Sequence, residues 1–110
     1  MVSANIARVF NERDAAARRA AIDDLYAEDV VFQDPDGTYE GRDAVAAKVD
    51  ALLAAQPGMV LREERLAQEV ADLGLAHWAL GPPGGEPVVR GTDVALVRAG
   101  RIERLYALIG

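Results

Sequence analysis

At 110 residues, with 51% hydrophobic and 27% charged side chains, the chain fits one soluble globular domain spanning residues 1–110, long enough to bury roughly 65% of its unfolded surface. The absence of cysteine excludes disulfides, thiolate catalysis and thiolate metal sites, and a single histidine excludes a multi-histidine centre, so no metal and no other cofactor is expected. A net charge of −6 argues against binding a phosphate backbone, and neither a membrane-length apolar run nor a charged-then-apolar leader is present, so nucleic acid and membrane are not expected partners and the cytoplasm is the expected compartment.

Ser3 is placed to cap a first helix, in which Ile6, Val9 and Phe10 recur at the spacing of an apolar stripe. Asn11 to Asp14 interrupts it. Asp14 can cap a second helix, with Ala17, Ala21, Ile22 and Leu25 along one side and Arg18, Arg19, Asp23 and Asp24 along the other. That helix stops near Tyr26 to Asp29. Val30 to Gln33 has the β-branched and aromatic content of a strand, and Pro35 holds Asp34 extended ahead of an Asp36-Gly37 turn. Residues 38 to 40 return as a short second strand. Gly41-Arg42-Asp43 opens a third helix, whose buried stripe is Val45, Val49, Leu52 and Leu53 and which ends before Pro57-Gly58.

From Met59 onward the apolar period changes to two. Met59 to Glu69, Leu73 to Leu80, Val88 to Val97 and Arg101 to Ile109 read as strands, with turns at Gly81 to Pro87 and Ala99-Gly100. Helices first and sequential strands last define an α+β fold: three N-terminal helices packed on one face of a curved, mainly antiparallel sheet. A sheet wrapped around helices in this way makes a cone, and its mouth is a natural small-molecule pocket.

Strand alternation then selects candidate residues. Val30, Phe32 and Asp34 point one way, and Asp93 shares its face with Val89, Gly91, Ala95 and Val97, so each face is apolar apart from one carboxylate. Burial without a cationic partner disfavours the ionised form of a carboxyl, and two such groups can act as a general base and a protonated hydrogen-bond donor. Competing structural readings exist for both: Asp34 as the residue that accepts the amides of its own turn, Asp93 as an exposed residue on an edge strand. Glu63 shares a face with Met59 and Leu61 but sits in a charged run that suits a solvated surface. Trp78, with Ala76 and Leu80, faces the cavity, whereas His77 takes the outer face. Tyr26, Tyr39 and Tyr106 are possible donors that also serve as packing. The outer sheet face carries Val88, Thr92, Val94 and Leu96 beside Tyr106 and Leu108, too apolar to stay wet on a small monomer, so a homodimer is expected.

The stretches "LYAEDVVFQDPDGTYEGRDAV" and "GTDVALVRAGRIERLYALIG" resemble the nuclear-transport-factor-2-like superfamily in its SnoaL-like and ketosteroid-isomerase-like branch, over nearly the whole chain. The resemblance implies a cofactor-free enzyme of ketosteroid-isomerase or polyketide-cyclase type acting on a small apolar or carbonyl-containing ligand. It assigns Asp34, the Asp before Pro, as the base that shuttles a proton, and Asp93 as the protonated oxyanion donor. Leu105 and Ala107 match cavity-lining positions, and Tyr26 matches a tyrosine that supports the hydrogen-bond network in some members. Phe10 falls where the family's principal oxyanion tyrosine stands, and Val49 near a second tyrosine. Losing one oxyanion donor typically costs about 10²- to 10³-fold in rate.

Ala107 also occupies the last-strand position at which limonene-epoxide-hydrolase-like members carry an Asp, which argues against their triad. Asp34 with Glu63 imitates instead the acidic pair of polyether epoxide hydrolases and cyclases, an alternative beside a non-catalytic ligand-binding module of the same fold. A catalytic Asp34 is expected to project past Phe32 among Trp78, Leu105 and Ala107 with its charge uncompensated; a structural one folds back to cap the Asp36-Gly37 turn.

Overall fold

The computed structural model describes residues 1–110. Helix α1 (Val2–Asn5) runs directly into a π-helical turn (Ile6–Phe10), followed by α2 (Ala15–Leu25), β1 (Tyr26–Asp34), β2 (Gly37–Glu40) and α3 (Arg42–Ala55). The remaining chain is strand: β3 (Val60–Glu63), β4 (Gln68–Val70), β5 (Leu73–Gly81), β6 (Val89–Arg98) and β7 (Arg101–Ile109). The α+β class and the three-helix, curved-sheet architecture expected from the sequence are those found. No helix is long and apolar enough to cross a membrane.

The seven strands form one mixed, mostly antiparallel sheet in the order β2-β1-β7-β6-β5-β3, with β4 also pairing along β5. Its one parallel contact joins β1 to β7, where Phe32 lies beside Leu105. The helices cover the concave face, and the core between the layers is built on Ile22, Tyr26, Phe32, Val49, Ile102 and Leu105, all essentially inaccessible. Burying this apolar layer is the main favourable contribution to folding.

Four local readings change. Ser3 is not a cap: the helix starts two residues earlier with Met1 as N-cap, and the Ser3 hydroxyl donates to Glu63 instead (2.8 Å). Asp14 does cap α2, accepting from the Ala17 amide (2.8 Å), yet Arg18 turns inward while Ala17 is exposed. The inner stripe is therefore Arg18, Ala21, Ile22 and Leu25, the i, i+3, i+4, i+7 set; the Arg18 guanidinium is tolerated there because Asp50 (2.6 Å) and the Glu12 carbonyl (2.6 Å) accept from it. β1 begins at Tyr26, four residues upstream of the expected strand, and its register against β7 shifts between Tyr26 and Val31. The run Met59 to Glu69 is two short strands, because Glu64 to Ala67 lacks an alternating apolar face and exposes Leu66.

Candidate active site

A cavity of about 300 Å³ opens at the wide end of the cone, between α3, the β1–β2 turn and the inner faces of β5, β6 and β7. Leu52 and Leu53 of α3, with its C-cap Gln56, form one side and Leu61, Leu80 and Val89 the other. Phe10 reaches it from the π-helical turn and meets Phe32 edge to face, ring centroids 6.0 Å apart. Cavities of this size, apolar with a few convergent polar groups, suit small ligands.

Asp93 stands at the floor. Its register partners are Ala76 on β5 and Ala107 on β7, and these small side chains leave open space beside its carboxyl. The Trp78 indole N–H donates to Asp93 Oδ1 (2.9 Å), while Oδ2 has no protein partner and is not sealed off. Gly91 makes this geometry possible. A Cβ there would come within 2.3 Å of the Trp78 ring and 2.5 Å of the Leu108 carbonyl, so only glycine lets the indole approach β6 this closely. Burial pushes the Asp93 carboxyl up to about 6, the Trp78 bond offsetting part of the shift. Tyr26, fully buried, donates to Asn5 Oδ1; burial first and the nearby Asp93 charge second push its hydroxyl well above the ordinary range, so it stays neutral.

Asp34 stands at the rim, and the structure corrects the expectation of an uncompensated charge. Its Oδ1 accepts from the Asp36 amide (2.9 Å) and the Gly37 amide (3.1 Å), and its Oδ2 lies 3.4 Å from Lys48 Nζ. Lys48, the only lysine in the chain, also bonds Asp36 Oδ2 (2.9 Å) and lies 5.1 Å over the Tyr39 ring. Its ammonium is held protonated chiefly by Asp36. Asp34 thus caps its turn and borders the cavity at once, two placements that the sequence presented as alternatives.

Of the expected site residues, Asp34, Asp93, Phe10, Phe32, Trp78 and Ala107 border the cavity. Tyr26, Val49 and Leu105 do not. Leu105 is two residues deeper on β7 than Ala107 and packs beside Ala95 and Phe32, Val49 lies on the sheet-facing stripe of α3, and Tyr26 turns toward Asn5. Glu63 is exposed outside the cavity, bonded to Ser3, so the structure does not assemble an Asp34–Glu63 pair. His77 points to the outer face, its Nδ1 3.1 Å from the Thr92 hydroxyl. Lys48, Gln56 and Asn5 carry no local sequence signal of a site, because each is placed by how the helices pack.

The model of the SnoaL-like domain matches residues 4–105, and the chain belongs to that family. Among solved structures it is similar to a candidate isomerase of the SnoaL-like family from Agrobacterium tumefaciens, with a TM-score of 0.92 and 26% identity over 99% of this chain and 93% of that one. A candidate polyketide cyclase from Sinorhizobium meliloti follows, with a TM-score of 0.76 and 21% identity over 96% and 91% of the two chains. A protein of ketosteroid isomerase-like fold from Catenulispora acidiphila, solved with trimethylamine, has a TM-score of 0.77 and 19% identity over 96% and 82%. The last two likenesses concern the fold alone. No curated protein matches the chain significantly.

Proposed function

We propose that this protein moves a proton on a small, largely apolar carbonyl compound, as a cofactor-independent catalyst of isomerase or cyclase type. Asp34 is the base at the rim. Its Oδ2 takes a proton from carbon next to the carbonyl and returns it to another position, while Lys48 falls back on Asp36 as that oxygen becomes neutral. Asp93, when protonated, donates to the carbonyl oxygen as charge gathers there. The observation that carries the reading is the pair of carboxyls on one apolar cavity in opposed surroundings, Asp93 buried against an indole and Asp34 beside an ammonium. The same reading has the chain acting as a homodimer joined through its outer sheet face.

Turnover of a simple β,γ-unsaturated ketone tests it. Asp34→Asn keeps an acceptor for the turn amides but removes the base, so turnover should fall by about 10²-fold or more with the fold retained. Phe10→Tyr restores a hydroxyl on the cavity wall and should raise it. If Asp34→Asn leaves turnover intact, Asp34 is not the base and its carboxylate is only a corner of the sheet; a parent protein with no turnover makes the cavity that of a binding module.

A further inference from the structure

The charged groups lining the cavity are one-sided. Asp93, Asp34 and Asp36 line it, and no arginine or lysine does, because Lys48 is held outside between the two rim carboxylates. The single indole donor is already used on Asp93 Oδ1. Asp93, 4% exposed, keeps Oδ2 unpartnered toward the open space, and the rings of Phe10, Phe32 and Trp78 supply π faces on the walls. An anion finds no cationic partner here, only the neutral Gln56 beside three carboxyl groups. A cation finds a carboxylate at the floor, aromatic surfaces around it and a protein of net charge −6 that draws it in.

We propose that the cavity is also a site for a small ammonium ion with a hydrocarbon substituent, its N–H on Asp93 Oδ2 and its hydrocarbon against Phe10, Phe32 and Trp78. This goes beyond the proton-transfer reading and is opposed to it in protonation: the carbonyl needs Asp93 protonated, the ammonium needs it ionised. The carboxyl, raised to about 6 by burial, changes between these forms near neutrality. The groups packed around it do not titrate with it. Tyr26 on β1 stays neutral, Asn5 on α1, Ala76 and Trp78 on β5 and Ala107 on β7 carry no charge, and the charged Asp34, Asp36 and Lys48 lie at the mouth. His77 and Tyr106 lie on the outer face.

The test is a titration of the whole protein with benzylammonium and with benzyl alcohol, its uncharged isostere, followed by calorimetry and by the emission of Trp78, the only tryptophan. At pH 7.5 benzylammonium should bind at least about 10-fold more tightly than the alcohol, since a charge-assisted hydrogen bond is roughly twice as strong as a neutral one. Its affinity should fall about 10-fold between pH 7.5 and pH 5 as Asp93 takes up a proton. Asp93→Asn should erase the preference. Equal affinity for the two probes, a flat pH profile of the parent protein, a preference that survives Asp93→Asn, or no binding of either probe at millimolar concentration overturns the proposal. Ketone turnover decides the proton-transfer reading separately: a protein inactive on ketones that still prefers benzylammonium loses that reading and keeps this one.

Discussion

Asp93 is where stability and chemistry oppose each other most directly. An aspartate titrates near 3.8 in the unfolded chain and near 6 here, so between those values the folded protein holds a proton that the unfolded chain has released. The stability this contributes is complete below about pH 4 and is lost as pH rises through 6; above that the ionised, desolvated carboxylate costs about 3 kcal/mol. Asp93→Asn keeps an acceptor for the Trp78 indole and carries no charge. In urea denaturation it should be more stable than the parent by about 1–3 kcal/mol at pH 7.5 and equal to it at pH 4; no gain at pH 7.5 would show that the carboxyl is well solvated. Strand alternation was enough to turn Asp93 and Trp78 toward the cavity and His77 away from it, while Ala107 came from the family resemblance. It could not show Lys48 reaching Asp34 from 14 residues away, because that meeting depends on how α3 docks over the β1–β2 turn.

On the scale of elements, α2 shows what a stripe of small residues conceals. "AAARRAAIDD" offers alanine on every side, so composition does not fix which face is buried, and packing chose the one carrying Arg18. Its guanidinium is buried while its partner Asp50 on α3 is more than half exposed, and the two ends of the pair therefore respond unequally to mutation. Asp50→Ala strands a buried charge and should cost about 2–4 kcal/mol, whereas Arg18→Met keeps the aliphatic packing, leaves Asp50 in water and should cost less than about 1 kcal/mol. Similar losses in the two variants would mean that water solvates Arg18 as well. The last three strands were legible to within a residue or two because their period-two pattern is long, while the π-helical turn that aims Phe10 left no mark in the sequence.

At the scale of the whole molecule, the sheet leaves an apolar outer face. Val88 and Leu108 are more than half exposed, and Val94, Leu96 and Tyr106 between them are partly so. Light scattering at micromolar concentration should return twice the 11.8 kDa chain mass, and Val94→Arg should return it once. A parent that is already monomeric removes the dimer from the reading. The order of the strands, by contrast, was not legible: alternation assigns faces but not neighbours, and a parallel contact between β1 and β7 has no local signature. That contact also governs how the chain is born. β7 lies mid-sheet between β1 and β6, so while residues 101–109 are still inside the ribosome the early strand pair β1–β2 and the later meander β5–β6 have no common partner. Closing so long a loop is entropically late and slow, and the edge of β1 that β7 pairs with stays open until then. The sheet, and with it the cavity, is therefore completed only when its last strand arrives, and until then the partly formed halves expose unpaired strand edges to misassociation.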